Sequence, residues 1–454
     1  MKILRIDSRC DGVAGAINSL REKLSIRGNI VSESGRQRTI EIFGEPLTPQ
    51  QIVEQICFDI RKRGLTALLD YSKRIDRAEL TADTLRVSRE ELAAAHAAAE
   101  SSFLDCIRRI ASNIREFQTA IRLHDVRIER VGGYLCERYR PLRRVGICVP
   151  GGAAAYPSTV LMTAVPAQVA GVPEIAVMAP PTPFGAYNND MLATCHELGI
   201  TEVYRMGGAQ GVAAFTYGIN DGERAIVKPV DKIVGPGNLF VALAKKFVYG
   251  ETDIDSIAGP SEVVVVVDSS TRADFTAYDL LAQAEHAPGA SILIGWDASV
   301  LDGMVEELDK RCGEVSRGEL ARRSLEEFGA VILTRDADEA CAITDLIAPE
   351  HLHIATQNAS ELADKISCAG AIFLGNFTPV ALGDYAAGPS HVLPTSGTAR
   401  FASGLTCNDF LRGNSIISFE QSGLDNLAND VECLATKEGL TAHRESVKVR
   451  RTKN

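Results

Sequence analysis

Arg144-Val145-Gly146-Ile147-Cys148-Val149-Pro150-Gly151-Gly152 is the stretch on which the fold turns. The apolar run over 145–149 stops abruptly at Pro-Gly-Gly, which marks a short buried strand. From here strands and helices alternate. A helix is expected over 158–170, a strand over 174–178, a helix over 190–198 and a strand over 202–206 ending in Gly207-Gly208. A helix over 210–217 follows, then a strand over 232–234 ending in Gly235-Pro236-Gly237-Asn238. The pattern restarts with strands at 262–267, 291–296, 330–334, 352–356 and 371–374. Alternation at this spacing calls for parallel sheets covered by helices. The fold class is therefore α/β, two Rossmann-like doubly wound units with a helical N-terminal segment and a small C-terminal helical tail.

Outward from that core the chain reads differently. The first 140 or so residues look helical, with Pro49 opening one helix and 91–121 forming a single long one that leaves His96 on the surface. After Gly375 the sequence is irregular and rich in Gly, Pro and Ser to about Gly404, then ends in helices that include 420–428. A tail that short has no core of its own and must dock on its own chain or on a partner.

Length and composition narrow the class. The 454 residues are too many for one core and suggest roughly two to four domains. A net charge of -11 argues against a general affinity for nucleic acid or anionic membranes. No apolar run approaches the roughly 20 residues that span a bilayer, and Met1-Lys2-Ile3-Leu4-Arg5 meets charge too early for a secretory signal. The 11 cysteines contain no Cys-x-x-Cys pair, so thiolate zinc sites and a disulfide framework are excluded and reduced cytoplasmic thiols are expected.

Four segments carry chemistry. Ala348-Pro349-Glu350-His351-Leu352 sets a carboxylate beside an imidazole, the two commonest proton carriers near neutrality. Gln283 and His286, at the end of a helix stopped by Pro288-Gly289, are three apart and share a face. Asp384 and His391 occupy a loop, 383–395, whose glycines and prolines fix its shape. Glu438 and His443 lie five apart near the end. Gln283, His286, Asp384 and His443 together could offer oxygen and nitrogen ligands to a borderline metal such as zinc. The glycine turns follow strands as nucleotide turns do, but neither completes a dinucleotide fingerprint.

Taken in order, these motifs resemble the histidinol dehydrogenase family. The likeness runs from about Pro49 to the end and rests on Val149-Pro150-Gly151-Gly152, Gly207-Gly208-Ala209-Gln210, Val230-Asp231-Lys232-Ile233 with Gly235-Pro236-Gly237-Asn238, and Ala258-Gly259-Pro260-Ser261-Glu262. It continues through Gln283-Ala284-Glu285-His286, Pro349-Glu350-His351-Leu352, the 383–395 loop and Leu440-Thr441-Ala442-His443. The resemblance implies that Glu350 and His351 are the catalytic pair and that Gln283, His286, Asp384 and His443 bind one zinc ion per subunit. It implies that Gln210 and Asn238 line an NAD site. Ser261, His391 and Glu438 would contact the substrate L-histidinol, together with His351 and the four ligands. It further implies a homodimer whose tail reaches the partner's site. One position departs: the family commonly has a tyrosine beside the cofactor where Cys148 stands.

The resemblance also implies a division of the chain. Residues 1–45 would form an arm of no assigned role. Residues 46–146 and 263–405 would form a discontinuous α/β domain with the catalytic pair and ligands, 147–262 the NAD-binding α/β domain, and 406–454 a tail docking on the partner. The implied reaction is two NAD-dependent oxidations, histidinol to histidinaldehyde to histidine, in the cytoplasm. The rivals are a related dehydrogenase of another polar alcohol, such as a sulfonated diol, a zinc hydrolase with Glu350 as general base, and a silent zinc-stabilised scaffold. The hydrolase leaves the glycine turns without purpose, and the scaffold has no need of Glu350-His351.

Overall fold

A computed structural model describes residues 1–10, 13–23, 33–152, 154–286 and 289–451. Pro288 of the expected helix stop lies outside these described residues. Two all-parallel sheets carry the chain. The larger has six strands in the order Leu4–Asp7, Ala330–Leu333, Gly289–Gly295, Ser261–Val267, His351–Ile354, Ala371–Leu374. The smaller has five, Asp253–Ile254, Lys232–Val234, Arg144–Cys148, Glu174–Ala179, Glu202–Arg205. The α/β expectation therefore holds for both halves.

Burial explains the apolar runs. Sheets covered by helices on both faces need strands apolar on both sides, and every residue of the Arg144–Cys148 and Gly289–Gly295 strands is buried. In the larger sheet Val264, Val266, Ile292 and Ile294 pack on one face, and Val263, Val265, Leu293 and Phe373 on the other.

Several expectations are corrected. The 91–121 helix is two, Arg89–Ala98 and Ser101–Ile121, with Ala99 and Glu100 extended between them. The first buries Leu92 and Ala95 in one cluster and the second Ile107, Ala111 and Ile114 in another, which one straight helix could not reach. His96 is half-buried, with its Nε2 2.6 Å from Glu197. The N-terminal portion is not wholly helical, since Leu4–Asp7 completes the larger sheet and Val126–Arg130 and Gly133–Pro141 form an antiparallel sheet with Leu411–Phe419. The grouping of 46–146 with 263–405 also differs from the packing. Pro49–Arg63, capped by a Thr48/Gln51 box, drives Ile52, Val53 and Ile56 into one cluster with Met178, Tyr204 and Phe215 of the smaller unit.

Candidate active site

The chain leaves the helix Ala337–Ile347 through Ala348, at φ +51°, and then Pro349. A left-handed alanine costs about 1–2 kcal/mol, and proline forbids the helix to continue. That turn delivers Glu350 to the amino edge of the larger sheet, and His351 opens the next strand rather than preceding it. Open α/β sheets usually bind ligands at strand carboxyl ends. Here residues 255–260 alone join the carboxyl end of Asp253–Ile254 in the smaller sheet to the amino end of Ser261–Val267 in the larger. One sheet's amino edge is thus tethered to the other's carboxyl edge, where the glycine turns stand.

Glu350 and His351 are both buried. Ser261 Oγ donates to Glu350 Oε2 at 2.5 Å and accepts from Gln283 Nε2 at 2.8 Å. The Glu262 amide donates to the same Glu350 oxygen at 3.2 Å. His351 Nδ1 lies 3.7 Å from Glu350 Oε2, and its Nε2 lies 3.3 Å from Asp384 Oδ1. Neither ring nitrogen makes an aligned hydrogen bond. His351 is thus a buried imidazole held in range of two carboxylates with its own bonds unmade.

Electrostatics follows from this crowding. Burial works against the imidazolium, yet Glu350 and Asp384 outweigh it and push His351 up to about 9. Burial lifts Glu350 above the usual carboxylate range, opposed by His351 and the Ser261 bond. Burial, then the neighbouring Glu350, push Glu262 up to about 8. Burial would raise Asp384 too, but His351 overcomes it and holds the carboxyl low.

The remaining expected residues divide. The half-buried His391 places Nδ1 2.9 Å from the Asp384 carbonyl oxygen. A carbonyl only accepts, so Nδ1 carries the proton and Nε2 keeps its lone pair. His286 is exposed, two residues past the end of the helix Ala273–Ala284, and its ring feels the charge of Asp384. Gln210 is buried and its Nε2 donates to Asp76 at 3.0 Å. Asn238 is exposed and spends its amide oxygen capping Leu239–Val248. Cys148 is buried, and burial pushes its thiol up to about 12. Glu438 and His443 are exposed on the C-terminal helices, and among the described residues no recorded contact joins them to the cluster.

The donors present suit zinc in part. Gln283 commits its nitrogen to Ser261, which leaves the amide oxygen, the atom a cation takes. With Asp384 and the His286 ring, that makes two oxygens and one nitrogen, a set for a borderline ion that lacks a fourth ligand. Among the described residues no three His, Cys, Asp or Glu side chains of this chain form a metal site.

The sequence profile of the histidinol dehydrogenase family matches residues 46–451. The chain belongs to the histidinol dehydrogenase family. It is 60% identical to the histidinol dehydrogenase of Rhodopirellula baltica over 98% of this chain and 96% of that one. It is 45% identical to that of Caulobacter vibrioides over 90% and 94%. The crystal structure of histidinol dehydrogenase from Elizabethkingia anophelis superposes with a TM-score of 0.87 at 33% identity, covering 99% of this chain and 98% of that one. Membership of the histidinol dehydrogenase family makes the chain an oxidoreductase of histidine biosynthesis.

Within this histidinol dehydrogenase framework, three polar groupings have no local sequence signal. Glu262 joins the Glu350 cluster across 88 positions. Lys245 and Asp255 form a buried ion pair that brackets one residue, Lys245 Nζ donating to the Gly235 carbonyl at 3.1 Å and the Gly235 amide donating to Asp255 at 2.6 Å. His353 Nδ1 pairs with Asp279 at 2.9 Å, one helical turn before Gln283. Glu262 with Glu350 and His353 with Asp279 stand far apart in the chain and meet only when the sheets form.

Proposed function

We propose that this chain oxidises L-histidinol to L-histidine through bound L-histidinaldehyde, with two NAD per turnover. The observation that carries the reading is the buried Glu350-His351 pair, in which His351 lies within reach of the carboxylates of Glu350 and Asp384. The balance is alcohol plus NAD⁺ to aldehyde, NADH and H⁺, then aldehyde plus water and NAD⁺ to carboxylate, NADH and two H⁺.

His351, in its neutral form, takes the hydroxyl proton in the first step, so that step should quicken as pH rises toward about 9. The carboxylates beside it make the ring a stronger base than free imidazole and stabilise the imidazolium that forms. Glu350, which burial lifts above the usual carboxylate range, takes a proton from the water that attacks the aldehyde, and His351 serves again as the second hydride leaves. Ser261 holds Glu350 on one side and Gln283 on the other, so one hydroxyl ties the base to a ligand. His391 offers Nε2 to the substrate.

Gln283, His286 and Asp384 would hold zinc, with His443 of a second copy as the fourth ligand, and zinc there would orient the imidazole and amino nitrogens of the substrate. The smaller α/β unit, 147–262, would carry NAD at Gln210 and Asn238, and the larger unit the catalytic pair. A homodimer with Glu438 and His443 acting in trans accounts for their distance from the cluster. It also accounts for the exposed Ile417, Leu427, Leu434 and Val449 of the tail. Among the described residues no helix is long and apolar enough to cross a membrane. The test is product identification after zinc-loaded protein is incubated with L-histidinol and NAD. L-Histidine supports the reading; oxidation of another polar alcohol with L-histidinol untouched overturns it.

A further inference from the structure

Glu262 is 1% exposed, and among the described residues no lysine or arginine pairs with it. A carboxyl buried without a cation is costly, and an apolar side chain would fill the same space at less cost. What it does hold is backbone. Its Oε1 accepts from the Glu350 amide at 3.1 Å and from the Ser396 amide at 2.9 Å. The Glu262 amide in turn donates to Glu350 Oε2, so the two glutamates each bind the other's peptide.

The strand register produces this exchange. Val263 stands opposite His351 in the parallel pair, which sets Glu262 beside Glu350 at the edge where the ladder ends and amides need other acceptors. Ser396 closes the loop that bears Asp384 and His391, and it sits at φ +59°, a conformation a serine keeps only when its surroundings impose it. The same segment grips the loop a second time, because the Gly259 amide donates to Thr395 Oγ1 at 2.7 Å.

We infer that Glu262 is a positioning residue whose carboxyl oxygen fixes the Glu350 peptide and the Ser396 end of the Asp384–His391 loop in one register. The inference rests on the role proposed above for Glu350. Glu350-His351 and Asp384 come from two separate segments, and Glu262 is the acceptor that both segments share.

The test uses zinc-loaded, full-length protein, with kcat per folded site measured on L-histidinol and on L-histidinaldehyde. Glu262→Gln keeps an oxygen at the Oε1 position and should retain kcat within about threefold, whereas Glu262→Asp keeps the carboxyl group but withdraws the oxygen and should lose about 100-fold in kcat with KM for NAD unmoved. Full kcat in Glu262→Asp, or a loss in Glu262→Gln as large as in Glu262→Asp, overturns the inference. So does a fall in melting temperature with kcat per folded site intact, the mark of a purely structural role. If Glu262→Asp does not fold, hydrogen exchange in Glu262→Gln decides. Protected Glu350 and Ser396 amides with kcat kept support the inference, and freed amides with kcat kept overturn it. Glu350→Gln measured in parallel separates the two readings, since retained aldehyde oxidation there removes the role of Glu350 whatever Glu262 does.

Discussion

His351 Nε2 lies 3.3 Å from Asp384 Oδ1, inside ion-pair range but not aligned as a hydrogen bond. With Glu350 on the other side, the ring is flanked by negative charge in a buried setting, and its proton is held up to a pH of about 9. In zinc-free protein, NMR titration of the His351 ring should give a midpoint well above that of free imidazole. Glu350→Gln removes one flanking charge and should move the midpoint down; an upward move contradicts the account. The sign for stability follows. The folded pKa exceeds the ordinary value of about 6.5, so this stabilising contribution is complete below that pH and is lost as pH rises through about 9.

Glu350→Gln should separate the two oxidations. Loss of a general base costs typically about 10²–10⁴-fold, and here that loss should fall on the aldehyde stage, where water must be activated. Stopped-flow of each half-reaction measures it. Equal losses in both stages would remove the assigned division of labour.

Much of this architecture is legible in the sequence itself. The strands around Val145, Val263 and Ile292 were readable because sheets buried on both faces need unbroken apolar runs, and Gly-Pro punctuation marked their ends. The helix break at Ala99 was not, because alanine periodicity runs on through it while the packing partners change. The Gly133–Pro141 and Leu411–Phe419 pairing was missed because its half-exposed strands mix charged and apolar residues and its partners lie far apart. Glu350, His351, Gln283, Asp384 and Ser261 converge within one chain. Glu438 and His443 do not, and spacing could not have distinguished the two cases.

The Lys245–Asp255 pair brackets Gly235, whose φ of +104° and approach to the Cys148 carbonyl admit no side chain. Lys245→Met leaves a buried carboxylate uncompensated and should cost about 3–5 kcal/mol in urea unfolding. If the Gly235 turn binds NAD, KM for NAD should rise while KM for histidinol holds. Unchanged stability would contradict the first expectation, and unchanged KM for NAD the second.

A shared site predicts complementation. Glu350→Gln and His443→Ala subunits, each unable alone to form histidine, should on random mixing recover roughly a quarter of wild-type histidine formation, because half the dimers are hybrids with one intact site of two. No recovery in verified hybrids would place the site within one chain.

The central claim is that one site carries both oxidations, and NADH formed per L-histidinol consumed tests it most directly. Zinc-loaded wild-type protein should give two NADH per histidinol with no free aldehyde trapped. One NADH per histidinol with released histidinaldehyde, or no turnover of histidinol by metal-replete protein, would contradict it.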